Sequence, residues 1–400
     1  MRILAINCGS STLKFSLLEG GVDGANYQRL ASGVVDEVGG QGAIRFSVEG
    51  GESLHRKAII SDHGEATRLA LGWLSDVGLL HSQSPDAVGH RVVHGGDYFS
   101  EPVLIDDRVI GIIESIGHLA LLHNGQALEA IRAARQALPR SVPQVAVFDT
   151  AFFTSIPEFA SRYAIPFELT EKHHIRRYGF HGLAHRYMTE RYLAITATPP
   201  DKTRLITMQL GSGCSAVATR GGCPVDTSMG FTPLEGMMMS TRSGDLDPSL
   251  VGFLAHQEVV DISTVEDWLN TRSGLLGVSG RSGDMRELLE AEGDRRAALA
   301  VEMFCYRARK YLGSYIAALG GADAVIFGGG IGENSPEVRS RICSGMEWCG
   351  LTLDEERNRI AIGVEAKITS DRATLETYVI PVDEGIIIAR DTARYLGYKS

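Results

Sequence analysis

Hydrophobic and polar positions fall into one short pattern twice. RILAIN, near the start, is an apolar run that predicts a buried strand, and Gly9, Ser10 and Ser11 then make a tight turn. In the following TLKFSLLEG, Leu13, Phe15 and Leu17 alternate with Lys14 and Ser16, so the segment predicts a hairpin with a Gly/Ser tip. About two hundred residues later, RLITMQL runs into Gly211, Ser212 and Gly213 and then into CSAVATRGG. Asn7 aligns with Gln209, and Gly9 with Gly211. Each half also carries a later apolar strand that ends in an unusual turn, VPQVAVFDT in the first and ADAVIFGGGIGEN in the second. The pattern predicts a duplicated domain.

Helical periodicity fills the gaps, in HGEATRLALGWLSDVGLL from His63, NGQALEAIRAARQAL from Asn124 and DRRAALAVEMFCYRARKYLGSYIAAL from Asp294. Strands alternating with helices predict an α/β fold. The boundary is expected near residue 150, giving a lobe over 1–150 and a second over 151–381. The last helix, from Glu384, is expected to return to the first lobe, so that about 382–400 completes it. With no low-complexity linker, the expected cleft between the lobes is a hinge with little slack.

Composition narrows the function. Four hundred residues, 44% hydrophobic, exceed what one core usually carries, which agrees with two domains. A formal charge of −10 argues against nucleic acid or an anionic membrane as a partner. No signal-peptide pattern and no run of eighteen apolar residues is present, so a soluble, cytoplasmic protein is expected. The six cysteines form no CxxC pair and predict reduced, mostly buried thiols. His173 and His174 are adjacent, which does not suit the i, i+4 spacing of a helical metal site.

Candidate chemistry lies in the turns. A small-residue tip lets backbone N–H groups approach anionic oxygens, and Ser10, Ser11 and Thr12 add hydroxyl donors. One such turn is ordinary hairpin punctuation; two facing each other would grip a polyphosphate. GGGIGENSPEV reads as a glycine loop after a strand, with Ser335 as N-cap, Pro336 at N1 and Glu337 opening a helix that favours negative charge. It is neither a Walker pattern nor a Rossmann fingerprint, and a structural glycine turn remains the alternative. Arg91 ends the apolar strand DAVGHRVV, and Arg242 sits in a loop ahead of a helix capped by Asp247 with Pro248 at N1. Such arginines suit phosphoryl oxygens, although a lone arginine is more often an ion partner. His123 and His181 read either as structural histidines or as donors to a phosphoryl group. Met237–Met239 reads as core filling. Asp149 ends an apolar strand and Glu384 opens the last helix, where carboxylates can serve Mg²⁺.

Together, NCGSSTLKFSL, GHRVVHGG, LLHN, FDTAF, YGFHG, DTSMGFTPLEGMMMSTRSGDLDP, SGDMRE, GGGIGENSPEVR and PVDEGIIIARDT resemble the acetate kinase family across essentially the whole chain. The resemblance implies the actin-like ATPase fold, with ribonuclease-H-like lobes and a nucleotide cleft between them. It implies ATP or ADP with Mg²⁺, or Mn²⁺ in its place, acetate as the small-molecule partner, and a homodimer. Asn7 and Glu384 would hold the metal, and Lys14 would meet the nucleotide phosphates. Arg91 would bind the carboxylate and Asp149 orient the reacting groups, while His181 and Arg242 would stabilise the transition state. The nucleotide would lie along Gln209, Leu210, Gly211, Ser212 and Gly213, along Asp284, Met285 and Arg286, and along Gly330, Ile331, Gly332, Glu333 and Asn334. Val93, Leu122, Phe180 and Pro233 would form the acyl pocket. The chain departs from the family pattern where HLGNG is common and it reads Gln209 to Gly213 with Ser212. Phe153 stands for a histidine, Leu121 and Gly125 for prolines, and Asp383 for an asparagine beside the metal carboxylate.

A carboxylate acceptor is already ionised at neutral pH, so no base is needed, and positioning with charge neutralisation is expected to supply the catalysis. Propionate is the nearest rival acceptor, since one methylene is worth only about 1–3 kcal/mol of discrimination. A rival of another class is a nucleotide-binding regulator that kept the clamp and lost the chemistry. A sugar kinase would need a base for a hydroxyl.

Overall fold

The computed structural model describes residues 1–20, 27–80, 84–117 and 124–397. It divides into two units, Met1–Thr154 with Asp383–Ser400, and Ser155–Val382.

In the first unit, β1 (Arg2–Cys8) and β2 (Leu13–Gly20) form the hairpin, and β3 (Tyr27–Asp36), β4 (Gly40–Val48) and β5 (Ser53–Ile60) extend it as an antiparallel meander. On the other side of β1 lie β6 (Ala87–Val92) and β8 (Gln144–Phe148), both parallel to it, and then the edge strand β7 (Val103–Leu104), antiparallel to β8. Both faces of β1 are covered, which is why RILAIN reads as a continuous apolar run. Leu4, Ile6 and Cys8 join a core with Phe15, Phe46 and the apolar stripe Ala66, Ala70, Leu71 and Leu74 of the helix His63–Asp76. The helix Asn124–Ala137 packs beside that helix, and the helix Glu384–Tyr395 packs on β1, β6 and β8. Gly89 permits that last contact: a Cβ there would lie 2.5 Å from Ile388 Cγ2 and 2.4 Å from Thr392 Oγ1.

The second unit repeats the plan. Its strands are β9 (Arg204–Leu210), β10 (Cys214–Arg220), β11 (Cys223–Thr227), β12 (Ala324–Gly328), β13 (Ala366–Lys367) and β14 (Glu376–Val379). The sheet order β11-β10-β9-β12-β14 matches β3-β2-β1-β6-β8, with β9, β12 and β14 mutually parallel and each series closed by a two-residue antiparallel edge strand. The chain thus carries one α/β topology twice, in the actin-like ATPase fold. The longest helix, Arg295–Leu319, starts at Asp294, whose carboxylate accepts from the N–H groups of Arg296 and Ala297, and stops at Gly320 in the left-handed region.

Two local expectations are corrected. GGGIGEN is not a loop but a short helix, Gly329–Asn334. Its own polar side chains fold back to close the turn: Glu333 Oε1 accepts from Gly329 N at 2.8 Å, and Asn334 Nδ2 donates to Gly330 O at 3.0 Å. The helix after Arg242 begins at Ser249, with Pro248 in the cap position; the Asp247 carboxylate caps it from one residue further out, accepting from Ser249 N at 2.9 Å. Ser335 caps the helix Pro336–Cys343 as read, accepting from Val338 N. Met237, Met238 and Met239 are buried, as core filling requires, and four of the six free cysteines are buried. Among the described residues no helix is long and apolar enough to cross a membrane.

Candidate active site

The first unit gathers its polar side chains at the ends of neighbouring strands. Lys14 on β2 is the register partner of Asn7 on β1, and Asn7 is the register partner of Arg91 on β6, so the three lie in a row. Asp149 follows the last residue of β8, and Glu384 opens the helix Glu384–Tyr395. Arg91 Nε donates to both Asp149 oxygens at 3.1 and 3.2 Å, Nη2 donates to Oδ2 at 2.5 Å, and Nη1 donates to Asn7 Oδ1 at 2.9 Å. Asn7 Nδ2 in turn donates to Glu384 Oε2. Asp149 has no exposed surface, and the Arg91 guanidinium is nearly covered. Burial works against the Arg91 charge, but the carboxylates of Asp149 and then Glu384 outweigh it and hold its pKa above the ordinary value. Of the guanidinium's N–H groups, one on each terminal nitrogen remains for a further acceptor, the fork that fits a carboxylate.

Glu384 offers a carboxylate that can serve a divalent cation. Mg²⁺ takes one or two protein oxygens and completes its shell with phosphate and water, so Glu384 with Asn7 fits it. Asn7 spends its amide between Arg91 and Glu384, which sets the carboxylate's orientation. Among the described residues no cluster of three His, Cys, Asp or Glu side chains forms an all-protein metal cage. The substituted Asp383 does not leave an unbalanced charge beside Glu384: it is paired with Arg29 of β3.

In the second unit, Gly211, Ser212 and Gly213 form the β9–β10 turn, closed by Gly211 N donating to Gly213 O at 3.1 Å. Gly329 brings the other glycine segment against it. Its φ is +75°, and a Cβ would sit 2.6 Å from Leu210 O, so only glycine allows the approach. A cleft of about 570 Å³ opens there, lined by Gly211 and Ser212, by Asp284, Met285 and Arg286, and by Gly330, Ile331 and Asn334. These three stretches, distant in sequence, are brought together around one cleft. Five residues of the same expected set stay off the lining. Leu210 is core; Gly213 faces His181; Gly332 is buried; Glu333 ties Gly329 N to Val382 N; and Gln209 Oε1 is buried beside Gly328 with no hydrogen-bond partner.

His181 and Arg242 meet at Gly213: a Cβ added there would lie 3.3 Å from His181 Nε2 and 3.7 Å from Arg242 Nη1. Arg242 Nη1 donates to Pro233 O at 3.1 Å, so Pro233 belongs to the same corner, and Phe180 is buried next to His181 in the chain. Among the described residues no carboxylate pairs with Arg242; burial lowers its pKa, opposed only by Cys214. Such a cation is short of an anion. Val93 is buried just beyond β6, in the first unit; Leu122 and His123 lie outside the described residues.

Several supporting residues escaped the sequence reading. Asp245 buckles the loop that carries Arg242: its Oδ1 accepts from Gly236 N at 2.8 Å, and its Oδ2 accepts from Tyr311 OH at 2.6 Å. Arg339 has no exposed surface, and its guanidinium donates to carbonyl oxygens of Gly332, Glu333, Asn358 and Ala361, fixing the end of the Gly329–Asn334 turn; burial pushes its pKa down to about 10. His185 and Ser215 stand behind His181, with Ser215 Oγ 2.8 Å from His181 Nδ1 and 2.7 Å from His185 Nε2. The available signal was the four-residue spacing of His181 and His185 across a helix start: His181 takes the cap position, with φ +57°, and His185 lies in the first turn of the helix Gly182–Thr196.

The comparisons with known proteins agree along the chain. The family model described as the Acetokinase family matches residues 2–390. The acetate kinase of Solibacter usitatus is 47% identical over 405 residues, covering 98% of each chain. That of Chloroherpeton thalassium is 44% identical over 411 residues, covering 98% of this chain and 99% of its own. Among solved structures, the Porphyromonas gingivalis acetate kinase has a TM-score of 0.88 at 41% identity, covering 99% of each chain. A propionate kinase from Francisella tularensis has a TM-score of 0.89 at 37% identity, covering 98% of this chain and 99% of its own.

Proposed function

This chain belongs to the acetokinase family, and we propose that it moves the γ-phosphoryl group of ATP to acetate, reversibly, giving acetyl phosphate and ADP. The observation that carries this reading is Arg242, a largely covered guanidinium with no carboxylate partner among the described residues, set with His181 at the Gly211–Gly213 turn beside the nucleotide-sized cleft.

The second unit holds the nucleotide in that cleft, with the backbone of the Gly211–Gly213 turn serving the phosphates. Arg91 takes the acceptor carboxylate through its two remaining terminal N–H groups, and Asp149 holds the guanidinium in that orientation. An acetate oxygen attacks the γ-phosphorus as the bond to the ADP oxygen breaks, in line and without a phosphoenzyme. No proton moves, because acetate arrives ionised. Charge spreads over the equatorial oxygens, where Arg242 and His181 Nε2 donate to it. Glu384 with Asn7 would hold Mg²⁺, or Mn²⁺ in its place, which would supply further neutralisation of phosphate charge. Phe180 and Pro233, both in the second unit, contribute to the acyl pocket in this reading. With ATP as the donor, the reading includes a cytoplasmic location. It also includes a homodimer, supported by the helix Ser249–Gln257, whose sequence SLVGFLAHQ is apolar yet has no buried residue.

A second reading, propionate as acceptor, has the Francisella propionate kinase behind it. Trapping acyl phosphate with hydroxylamine, in the presence of ATP and Mg²⁺, tests both. Acetate is expected to give the highest kcat/KM, ahead of propionate and butyrate. A higher value for propionate selects the second reading, and ATP binding without any acyl phosphate rejects both in favour of a regulator.

A further inference from the structure

We propose that Thr207, His185 and Ser215 form a directed hydrogen-bond relay that holds His181 uncharged with its proton on Nε2. They are positioning residues for the reaction, and the inference deepens the reading of His181 as a donor to the transferring phosphoryl group. The chain of contacts is continuous. Thr207 Oγ1 lies 2.7 Å from His185 Nδ1, His185 Nε2 lies 2.7 Å from Ser215 Oγ, and Ser215 Oγ lies 2.8 Å from His181 Nδ1. Thr207, His185 and Ser215 have no exposed surface.

A serine hydroxyl carries one proton, so Ser215 donates to one imidazole and accepts from the other. That leaves two directions. In the first, Thr207 donates to His185 Nδ1, His185 Nε2–H donates to Ser215, and Ser215 donates to His181 Nδ1; every buried group is satisfied, and His181 keeps its proton on Nε2. In the second, His181 Nδ1–H donates to Ser215, Ser215 donates to His185 Nε2, and His185 Nδ1–H donates to Thr207. The Thr207 proton then needs a further acceptor, yet among the described residues His185 is the one hydrogen-bond partner of that hydroxyl. A buried hydroxyl proton without an acceptor is costly, so the first direction prevails.

The same logic opposes a charged His181. An imidazolium must donate through Nδ1 as well, which enforces the second direction. His185 does not relieve the conflict by taking a second proton, since burial, and then His181, hold its pKa well below the ordinary histidine value. The Nε2–H edge of His181 is the one beside Gly213 and Arg242. There it donates to a phosphoryl oxygen without giving up the proton. Thr207 and Ser215 lie on the adjacent strands β9 and β10, and His185 on the helix Gly182–Thr196, so packed secondary structure, not a loop, sets the tautomer.

The test is a long-range ¹⁵N–¹H correlation spectrum of the whole protein labelled at histidine, with the His181 signals identified by their loss in His181→Asn. Wild-type protein is expected to show His181 with Nδ1 bare and Nε2 protonated, a result that depends on no variant folding. Ser215→Ala and the more distant Thr207→Val are both expected to give a tautomer mixture, with kcat down about tenfold and KM for both substrates within about twofold. A proton on Nδ1 in the wild type, or an unchanged tautomer in Ser215→Ala, overturns the relay. If the tautomers behave as stated while His181→Asn keeps the wild-type rate, the relay stands and the role of His181 in transfer falls.

Discussion

Two arginines illustrate how identical side chains acquire different work from their surroundings. Arg91 is neutralised in place by Asp149 and influenced by Glu384, so it is a rigid fork whose remaining donors recognise shape as much as charge. Arg242 is covered to a similar degree, but its neighbours are Pro233 O and Met239 Sδ. Its charge is therefore available to an incoming phosphoryl group in a setting where little water screens it. Arg242→Ala is expected to raise the barrier by about 3–5 kcal/mol, seen as a large fall in kcat with KM for ATP little changed. Near-normal turnover would remove Arg242 from the mechanism. Both arginines were legible as candidates, Arg91 from its place at the end of an apolar strand and Arg242 from its loop ahead of a capped helix, but their difference was not, since it depends on carboxylates brought from residues 149 and 384.

At the level of elements, the ends of parallel strands gather the chemistry. Strand β6 shows how strongly its packing constrains a titrating group: His90 is fully buried against Gln144, and burial pushes its pKa down to about 4. Free histidine titrates near 6.5, so between that value and about 4 the unfolded chain binds a proton that the folded one refuses. This contribution to stability is complete above pH 6.5 and falls as the pH drops toward 4, by about 3 kcal/mol across the window. Urea midpoints measured through that range should decline in the wild type and decline less in His90→Gln. The hairpins and long helices were plain from periodicity. The β3–β5 meander and the helical form of GGGIGEN were not, because one depends on pairing to a neighbour and the other on Glu333 and Asn334 overriding the low helix propensity of glycine.

For the whole molecule, the surface helix Ser249–Gln257 carries the prediction. Leu250 and Phe253 stand exposed on a helix with no buried residue. Sedimentation should therefore give a two-chain mass, and Leu250→Glu combined with Phe253→Glu should return a single chain; an unchanged mass would show that this helix is not the interface. By itself the sequence determined what is local and periodic: two strand–turn–strand devices, the α/β alternation, and the motif order that identifies the family. Tertiary structure alone decided which side chains meet. Arg91 finds Asp149, Asp383 finds Arg29, and Ser215 finds both His181 and His185. Periodicity reports the environment of one residue at a time, whereas hydrogen-bond direction and charge compensation are properties of pairs whose distance in the chain says nothing of their distance in space.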